Sequence, residues 1–422
     1  MSLMAVQSSE SEIEQVIQSS LSSPVIISTN IINDQDYHRQ QSLLTTVMII
    51  LMDRLSLNSL RSVLTKFHAG YFRISLSLGG QALLWKKFMG PTTHDMKMTS
   101  SASTTVINAL HPTSIFLVLW SFALFTLILL SLIYLLKCLF YFKMVKAEFL
   151  HHVGVNYLFV PWISWLLLLQ TAPFLGPRTA TYLILWWIFS VPVVLLDVKI
   201  YGQWFTKGKR YLSMAANPTS QLSVIGNLVG AQAAAQMGWR ESAVGLFSLG
   251  MVHYLVLFVT LYQRLAGGDR LPAMLRPVFF LFFAAPSMAS LAWESIVGAF
   301  DMVSKMLFFL SLFLFLSLIC RPTLFKRSMR RFNIAWWAYS FPMTVLALAS
   351  FDYAEEVKGG IARILMFFLF GLSVLVSLGL VATTIINRKM LLPDDDPITT
   401  TLFHSNLLPL VSTTTRRRHQ YQ

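Results

Sequence analysis

The chain has 422 residues, of which 55% are hydrophobic and 12% are charged. A soluble domain carries about a quarter charged residues, so this composition excludes an ordinary water-soluble protein. The net charge is +14, but the lysines and arginines lie between long apolar runs. This distribution favours basic loops at an anionic membrane surface over nucleic-acid binding.

Ten apolar segments follow one another along the chain, and together they predict an all-α membrane protein. A helix needs about 20 mostly apolar residues to cross the hydrocarbon core of a membrane. We expect a disordered cytoplasmic tail over residues 1–60, a ten-helix transmembrane domain over 61–387 and a cytoplasmic C-terminal tail over 388–422. The apolar segments cover about 66–85, 114–141, 154–175, 180–205, 220–238, 241–263, 276–297, 302–320, 333–354 and 362–386.

Basic residues in the loops predict the orientation of these segments. They cluster in the loops that follow the even-numbered segments, for example at Lys143, Lys209 and Arg327. The positive-inside rule places such loops in the cytoplasm, so both termini are expected there. The loop after the first segment is an exception, because we assign Lys86 and Lys87 to it.

The odd-numbered segments differ from the even-numbered ones in their glycine and proline content. Gly79, Pro161, Gly226, Pro286 and Pro342 all fall in odd-numbered segments, whereas most even-numbered segments are largely Leu, Phe and Val. The fourth segment, with an internal proline, is the exception. Backbone groups freed by such residues are tolerated at membrane depth only where protein or a water-filled cavity satisfies them. The pattern therefore predicts an inner ring of odd-numbered helices inside a jacket of even-numbered ones.

The fifth segment has one face of small and mildly polar residues. Ser223, Asn227, Gly230 and Ala234 recur at helical spacing, which makes them candidates for lining a pore. An alternative is that Gly226, Gly230 and Ala234 form a small-xxx-small seam for tight helix packing. The sequence alone leaves both interpretations open.

Seven stretches of the sequence resemble the plant slow-type (S-type) anion channels. One is FHAGYFRISLSLG at residues 67–79, and another is FNIAWWAYSFPMT at residues 332–344. The resemblance runs in order over about residues 64–390 and is greatest to the short-tailed homologues of the family, which also has bacterial relatives in tellurite resistance and dicarboxylate export. The other stretches are 155–162, 196–204, 216–227, 253–264 and 279–287.

The resemblance implies five helical hairpins around a central pore, with the odd-numbered helices inside. It also implies a homotrimer, or a heterotrimer with related subunits, in which each protomer has its own pore. The implied activity is that of a slow, weakly voltage-dependent channel in the plasma membrane, which passes chloride, nitrate and in some relatives malate down their gradients. In this family a phenylalanine of the ninth span occludes the pore, and the matching residue here is Phe341.

The neighbourhood of Phe341 supports such a gate on physical grounds. Pro342 lacks a backbone N–H and crowds the carbonyl of Ala338, so the helix is predicted to kink beside Phe341. A kink would aim the ring inward, where an apolar constriction can gate by dewetting. The alternative is that Phe341 simply packs, like others of the 32 phenylalanines.

Conduction requires anion sites that are weak, so a ring of fixed arginines is not expected in the pore. Arg73, near the cytoplasmic end of the first segment, is the one basic residue close to a segment core. We instead expect freed backbone N–H groups and the hydroxyls of Ser75, Ser223 and Thr344 to attract anions. Gly79 is a further candidate for the pore lining.

Two other functions compete with a conducting channel. The chain is alternatively an electrically silent subunit that modulates a conducting partner in a mixed trimer, because such a subunit would keep the fold and the gate residue. It is alternatively a proton-coupled dicarboxylate carrier. A carrier needs a titratable residue on an inner helix, and the sequence shows no good candidate there.

Motifs of enzymes are absent from the sequence, which has no P-loop, HExxH, GxSxG or paired CxxC pattern. We therefore expect no catalytic residues, no metal site and no cofactor. Ser42 lies three residues after Arg39, a spacing that many protein kinases prefer, so it is a candidate regulatory phosphosite.

Overall fold

Helices and the turns between them make up the described structure. The computed structural model describes residues 58–95, 112–206, 216–266, 273–326, 328–330 and 332–387, and within these ranges there is no β-strand. This confirms the all-α fold class. Most of the two predicted tails, together with Ser42, lies outside the described residues.

The α-helices are numbered here in chain order, and short 3₁₀ helices precede several of them. The α-helices are α1 (Asn58–Lys66), α2 (Arg73–Asp95), α3 (Pro112–Phe140), α4 (Phe142–Leu150), α5 (Gly154–Tyr157), α6 (Phe159–Thr171), α7 (Ala180–Thr206), α8 (Gln221–Gln236), α9 (Arg240–Ala266), α10 (Leu281–Val297), α11 (Met302–Ile319), α12 (Thr323–Lys326), α13 (Ser340–Val357) and α14 (Gly360–Ile386). The 3₁₀ helices are Ala69–Phe72, Pro218–Ser220, Ala273–Phe280, Ser328–Arg330 and Ile334–Tyr339.

Five hairpins of long helices form in the described part of the chain. Each pairs an odd-numbered predicted segment with the even-numbered segment after it: α2 with α3, α6 with α7, α8 with α9, α10 with α11, and α13 with α14. The first helix of each hairpin also contacts its counterparts in the order α2, α6, α8, α10, α13 and back to α2. These five inner helices therefore close a ring, as the glycine and proline pattern predicts.

Burial separates the inner helices from the outer ones. The inner spans Arg276–Val297 and Ile334–Val357 have 67% and 94% of their most apolar window buried. The outer spans Ser114–Phe140, Met302–Ile319 and Gly360–Ile386 have only 17%, 22% and 28% buried. The exposed part of the outer spans is apolar, for example at Phe125 and Leu375 in α3 and α14, as expected for a surface in contact with lipid.

Seven of the described helices are long and apolar enough to cross a membrane, or up to eight if a bent helix pair is one span. That pair, Phe142–Leu150 and Gly154–Thr171, bends by 104°. Ten spans therefore remain a prediction. The inner helices α6 and α8 have only 13 and 16 residues, and α2 carries several charged residues. An inner helix is shielded from lipid by its neighbours, so it need not be as apolar as a span that faces lipid.

The inner helices all begin at one end of the ring. Each is preceded there by a short helical turn, and these turns contact one another around the ring. At the opposite end, tight connections lead from inner to outer helices. Gly238 and Gly298 take positive φ angles of 84° and 85° in two of these connections, a conformation that glycine adopts without steric cost.

Candidate functional site

The amino-terminal end of the ring gathers the starts of all five inner helices. His68, Asn217 and Asn333 cap three of the preceding 3₁₀ helices, each with a side-chain atom that accepts a backbone N–H two residues further on. Helix amino termini carry partial positive charge within their first turn. Their convergence therefore makes this end electropositive without any side-chain charge.

A narrow cavity lies at this end of the ring. Its volume is about 10 Å³, which is roughly the room that one water molecule requires. Every inner helix, or the short helix before it, contributes to the wall. The lining includes Arg73, Tyr157, Leu222, Val278, Trp337 and Phe341.

Phe341 lies in the wall of this cavity, where its side chain is 1% exposed. Its ring packs close to Gly80 on α2, since a Cβ atom built at Gly80 would lie 3.3 Å from Cδ2 of Phe341. Pro342 also lines the cavity, in the first turn of α13 and directly after the change from 3₁₀ to α-helix. The ring is thus packed between two adjacent inner helices at the narrow end, and its role as a gate stays a prediction.

The polar candidates of the first and ninth segments lie in contacts between helices. Ser75 donates to the carbonyl of Phe72 and to Oγ of Ser164 on α6, over 2.8 Å and 3.2 Å. Thr344 donates to the Ser340 carbonyl over 2.9 Å and accepts from Gln81 over 2.8 Å. Hydroxyl contacts of this kind are typical of helix packing in membranes.

Gly79 and Gly80 are adjacent but face different neighbours. A Cβ atom at Gly79 would meet Leu167 and Leu168 of α6 at 3.7 Å and 3.8 Å. Of the two glycines, Gly80 is therefore the one against the Phe341 ring, which the sequence did not distinguish.

The polar face of α8 turns towards α7. Ser223 donates to Oδ1 of Asp197 over 2.6 Å, and Asn227 donates to Oδ2 over 2.7 Å. Tyr201 shares a further hydrogen bond of 2.6 Å with Ser223. A buried carboxylate requires such donors, so these contacts account for the two polar residues by packing.

The small residues of α8 also lie in packing contacts with neighbouring helices. A Cβ atom at Gly230 would lie 3.2 Å from Leu246 of α9, and the Gly230 carbonyl accepts the indole N–H of Trp186 over 3.1 Å. A Cβ atom at Gly226 would lie 3.1 Å from Val193 of α7, and Ala234 is fully buried. The contacts of α8 therefore favour the small-xxx-small interpretation.

A much larger cavity lies at the carboxyl-terminal end of the ring. Its volume is about 700 Å³, and Lys86, Lys87, Gln170, Gln236 and Glu355 are among its lining residues. We refer to it as the vestibule. Lys86 and Lys87, which we had assigned to a loop, belong to α2, and this helix continues to Asp95.

Both lysines of the vestibule have a polar partner. Lys87 forms a salt bridge with Asp352 of α13 and lies 4.0 Å from Oε1 of Glu294 on α10. Lys86 donates to the carbonyl of Gln170 over 2.8 Å. Asp352 is a buried titratable group on an inner helix that the sequence analysis did not identify, because its partner lies 265 positions away in the sequence (352 minus 87).

These features define a polytopic helical membrane protein of the channel or transporter class, with a ring of helices open at one end and constricted at the other. The voltage-dependent anion channel family SLAC1 matches residues 66–385. The chain therefore belongs to this family, as the resemblance indicated.

Relatives in Arabidopsis thaliana cover most of the chain. The S-type anion channel SLAH1 is 59% identical over 332 residues, which is 79% of this chain and 84% of that relative. The S-type anion channel SLAH4 is 57% identical over 335 residues, with 79% and 87% covered. The guard cell S-type anion channel SLAC1 is 44% identical over 305 residues, with 72% and 52% covered.

Proposed function

We propose that this chain forms a slow, weakly voltage-dependent anion channel that passes chloride and nitrate passively across the plasma membrane, with malate as a candidate larger permeant anion. The observation that carries the proposal is the position of Phe341, in the wall of the narrow cavity to which every inner helix, or the short helix before it, contributes. The pore runs through the ring, and Phe341 occludes it. The names of the relatives, all S-type anion channels, support an anion as the permeant ion.

The electrostatics of the ring are suited to anions. Converging helix amino termini supply positive potential at the narrow end, in addition to the charge of Arg73 in the cavity wall. Apolar rings next to this potential permit passage only when they move aside, because a cavity of about 10 Å³ does not accommodate a hydrated anion.

The proposed setting of the channel follows from the loop charges and the family. Both termini lie in the cytoplasm, and the protomers assemble as a homotrimer or with related subunits. Protein kinases regulate the channel, with Ser42 as a candidate phosphosite, because a phosphate adds nearly two negative charges close to a basic surface.

Two-electrode recording in oocytes tests the proposal, with chloride or nitrate as the permeant anion. We expect Phe341→Ala to give a current many times that of the wild type, reversing near the equilibrium potential of the anion, because the substitution removes the occluding ring. Phe308→Ala is the matched control, since Phe308 is also fully buried but packs on Tyr353 away from the narrow cavity.

The control separates a gate from a general effect of removing a buried ring. If Phe341→Ala and Phe308→Ala give equal currents at equal surface expression, Phe341 is not the gate. If neither they nor the wild type give anion current, the chain does not conduct alone.

A second candidate function is an electrically silent, modulatory subunit of a mixed channel. The observation that favours it is Arg73, whose buried guanidinium lies in the cavity wall. A fixed cation at a constriction holds an anion and slows its passage. Co-expression with a conducting relative tests this function, because a silent subunit changes the partner's current while giving none of its own.

A further inference from the structure

Arg73 is a buried cation with an unused hydrogen-bond donor. Its side chain is 4% exposed, and its Nε atom donates to the Gly70 carbonyl over 2.8 Å. The guanidinium carbon lies 4.8 Å from the centre of the Tyr157 ring. The Nη1 atom is buried without a hydrogen-bond partner, and the residue lines the narrow cavity.

No carboxylate neutralises this charge among the described residues. The carboxylates of the salt bridges found there pair with other cations, at Lys87, Lys137 and Lys305. Glu148, the carboxylate that holds the start of the ring through the backbone N–H of Ala69, pairs instead with Lys137 at 3.6 Å. The guanidinium is therefore left with one aromatic face and one backbone carbonyl.

An uncompensated cation inside a membrane protein is costly, and such groups usually mark a function. Here the cost increases further, because the amino termini of the inner helices surround the same cavity and add positive potential. An anion in the cavity would offset both the buried charge of Arg73 and the positive potential of the helix termini, since helix amino termini and guanidinium N–H groups are both anion ligands.

We propose that Arg73 and the surrounding cavity wall form a binding site for a small monovalent anion of the size of chloride. The Nη1 atom donates to the anion, while Trp337 and Phe341 close the site with their rings. Aromatic edges carry partial positive charge, so edge-on rings are compatible with an anion. The inference depends on the proposed function only for the identity of the ligand.

The small volume of the cavity predicts that smaller anions bind more tightly. Its volume of about 10 Å³ is enough for one water-sized particle, so chloride fits only with a slight movement of the rings. Nitrate is larger and requires a greater movement of Phe341. We therefore expect chloride to bind more tightly than nitrate to the closed ring.

Thermal unfolding of the purified full chain in detergent tests the site. Chloride replaces gluconate at constant ionic strength, and unfolding is followed by tryptophan fluorescence. We expect the wild-type Tm to rise saturably with chloride, because a ligand that binds only the folded state stabilises it. In Arg73→Gln the half-saturating concentration is expected to rise about tenfold or more, since a hydrogen bond to a charged group contributes that much.

Two further variants separate a site from a general effect of charge. Arg363→Gln removes an exposed arginine of α14 and should keep the whole chloride response. Arg73→Lys keeps the charge and should keep part of it. The proposal is wrong if the wild type shows no chloride response, or if Arg73→Gln responds as the wild type does.

A measurement on the wild type alone covers the case in which Arg73→Gln does not fold. Crystals grown in bromide should give an anomalous scattering peak within hydrogen-bonding distance of Nη1 of Arg73, and a cavity without such a peak would overturn the proposal. Recorded current plays no part in either assay. If the chain conducts but does not bind chloride here, only this inference is wrong. If it binds chloride but does not conduct, only the proposed channel function is wrong.

Discussion

A cavity of about 10 Å³ with Arg73 in its wall lies at the amino-terminal end of the inner ring, whereas a separate cavity of about 700 Å³ lies at the carboxyl-terminal end around Lys86 and Lys87. The wall of the wide cavity contains more basic residues than that of the narrow one, yet its cations are engaged: Lys87 pairs with Asp352, and Lys86 donates to the Gln170 carbonyl. Among its described lining residues the narrow cavity has one cation, Arg73, which no described carboxylate neutralises.

This difference shows that the count of basic residues is a poor guide to where an anion is held. A paired lysine in a wide cavity attracts anions weakly, because its partner and the solvent screen it. An unpaired guanidinium in a narrow, buried constriction acts at a lower effective dielectric constant. The following predictions each alter one end and leave the other unchanged.

The largest effect on stability is expected at the wide end. Lys87→Met leaves Asp352 buried without its cation, which should lower the free energy of unfolding by roughly 3 kcal/mol. This is the lower limit for breaking a buried pair, chosen because the Lys87 side chain is 36% exposed although that of Asp352 is 2% exposed. Chemical unfolding of the purified protein in detergent measures the change.

An exposed pair of the same type is the control. Lys305 and Glu356 lie 3.5 Å apart with side chains 29% and 49% exposed, so Lys305→Met should cost under about 1 kcal/mol. Combining Lys87→Met with Asp352→Leu should restore most of the lost stability, because the buried carboxylate is removed together with its cation, and the remaining carboxylate near Lys87, Glu294, is 25% exposed. Equal losses for the two lysine variants would show that the Lys87 contact contributes little.

A smaller effect is expected at the narrow end, on permeation. In a Phe341→Ala background, Arg73→Gln should raise the chloride concentration that gives half-maximal current about tenfold, since it removes a charged hydrogen bond to the anion. Recording over a series of chloride concentrations measures it. Arg363→Gln in the same background should leave the curve unchanged, and an unchanged curve for Arg73→Gln would place the permeation path away from Arg73.

The contact between Gly80 and Phe341 predicts that Gly80→Ala lowers the free energy of unfolding by about 1–3 kcal/mol, because the added methyl group meets the Phe341 ring at 3.3 Å and overpacks the narrow end. In the Phe341→Ala background, where the ring is missing, the loss should be smaller by at least about 0.5 kcal/mol. Gly79→Ala, whose new contacts begin at 3.7 Å, should cost nothing or stabilise the helix.

Thermal unfolding of the single and double variants measures this coupling. An identical loss for Gly80→Ala with and without the Phe341 ring would contradict the packing described at the narrow end.

The smallest effect on permeation is expected at Ser223. Its hydroxyl donates to Asp197 and lies at the interface between α7 and α8, so Ser223→Ala should lower the Tm and leave the reversal potentials in chloride and nitrate unchanged. These potentials are measured in the Phe341→Ala background. A shift of several millivolts would return Ser223 to the pore lining.

The division into inner and outer helices was predictable, because glycine and proline at membrane depth require neighbours that shield the backbone. Gly226 and Pro286 carried that signal, and both lie in helices of the inner ring. Which face of an inner helix points to the axis was not predictable. Ser223 and Asn227 would suit a pore or a buried carboxylate equally, and the residue that decides, Asp197, lies on another helix.

The charged residues show the same limit. Lys87 was interpreted as part of a basic loop, and Asp352 was missed, because the two meet only when α2 and α13 close the ring. Arg73 was noticed as a cation near a segment core, but its burial and its unused donor depend on the meeting of all five inner helices.

The most direct test of the central claim is chloride efflux from liposomes that contain only the purified chain. With valinomycin to carry the compensating potassium, Phe341→Ala should release chloride many times faster than the wild type and Phe308→Ala at equal protein content. Such a result would show that this chain conducts by itself and that Phe341 closes its pore. Release by folded Phe341→Ala at the rate of protein-free liposomes would contradict the account and leave the silent-subunit function in its place.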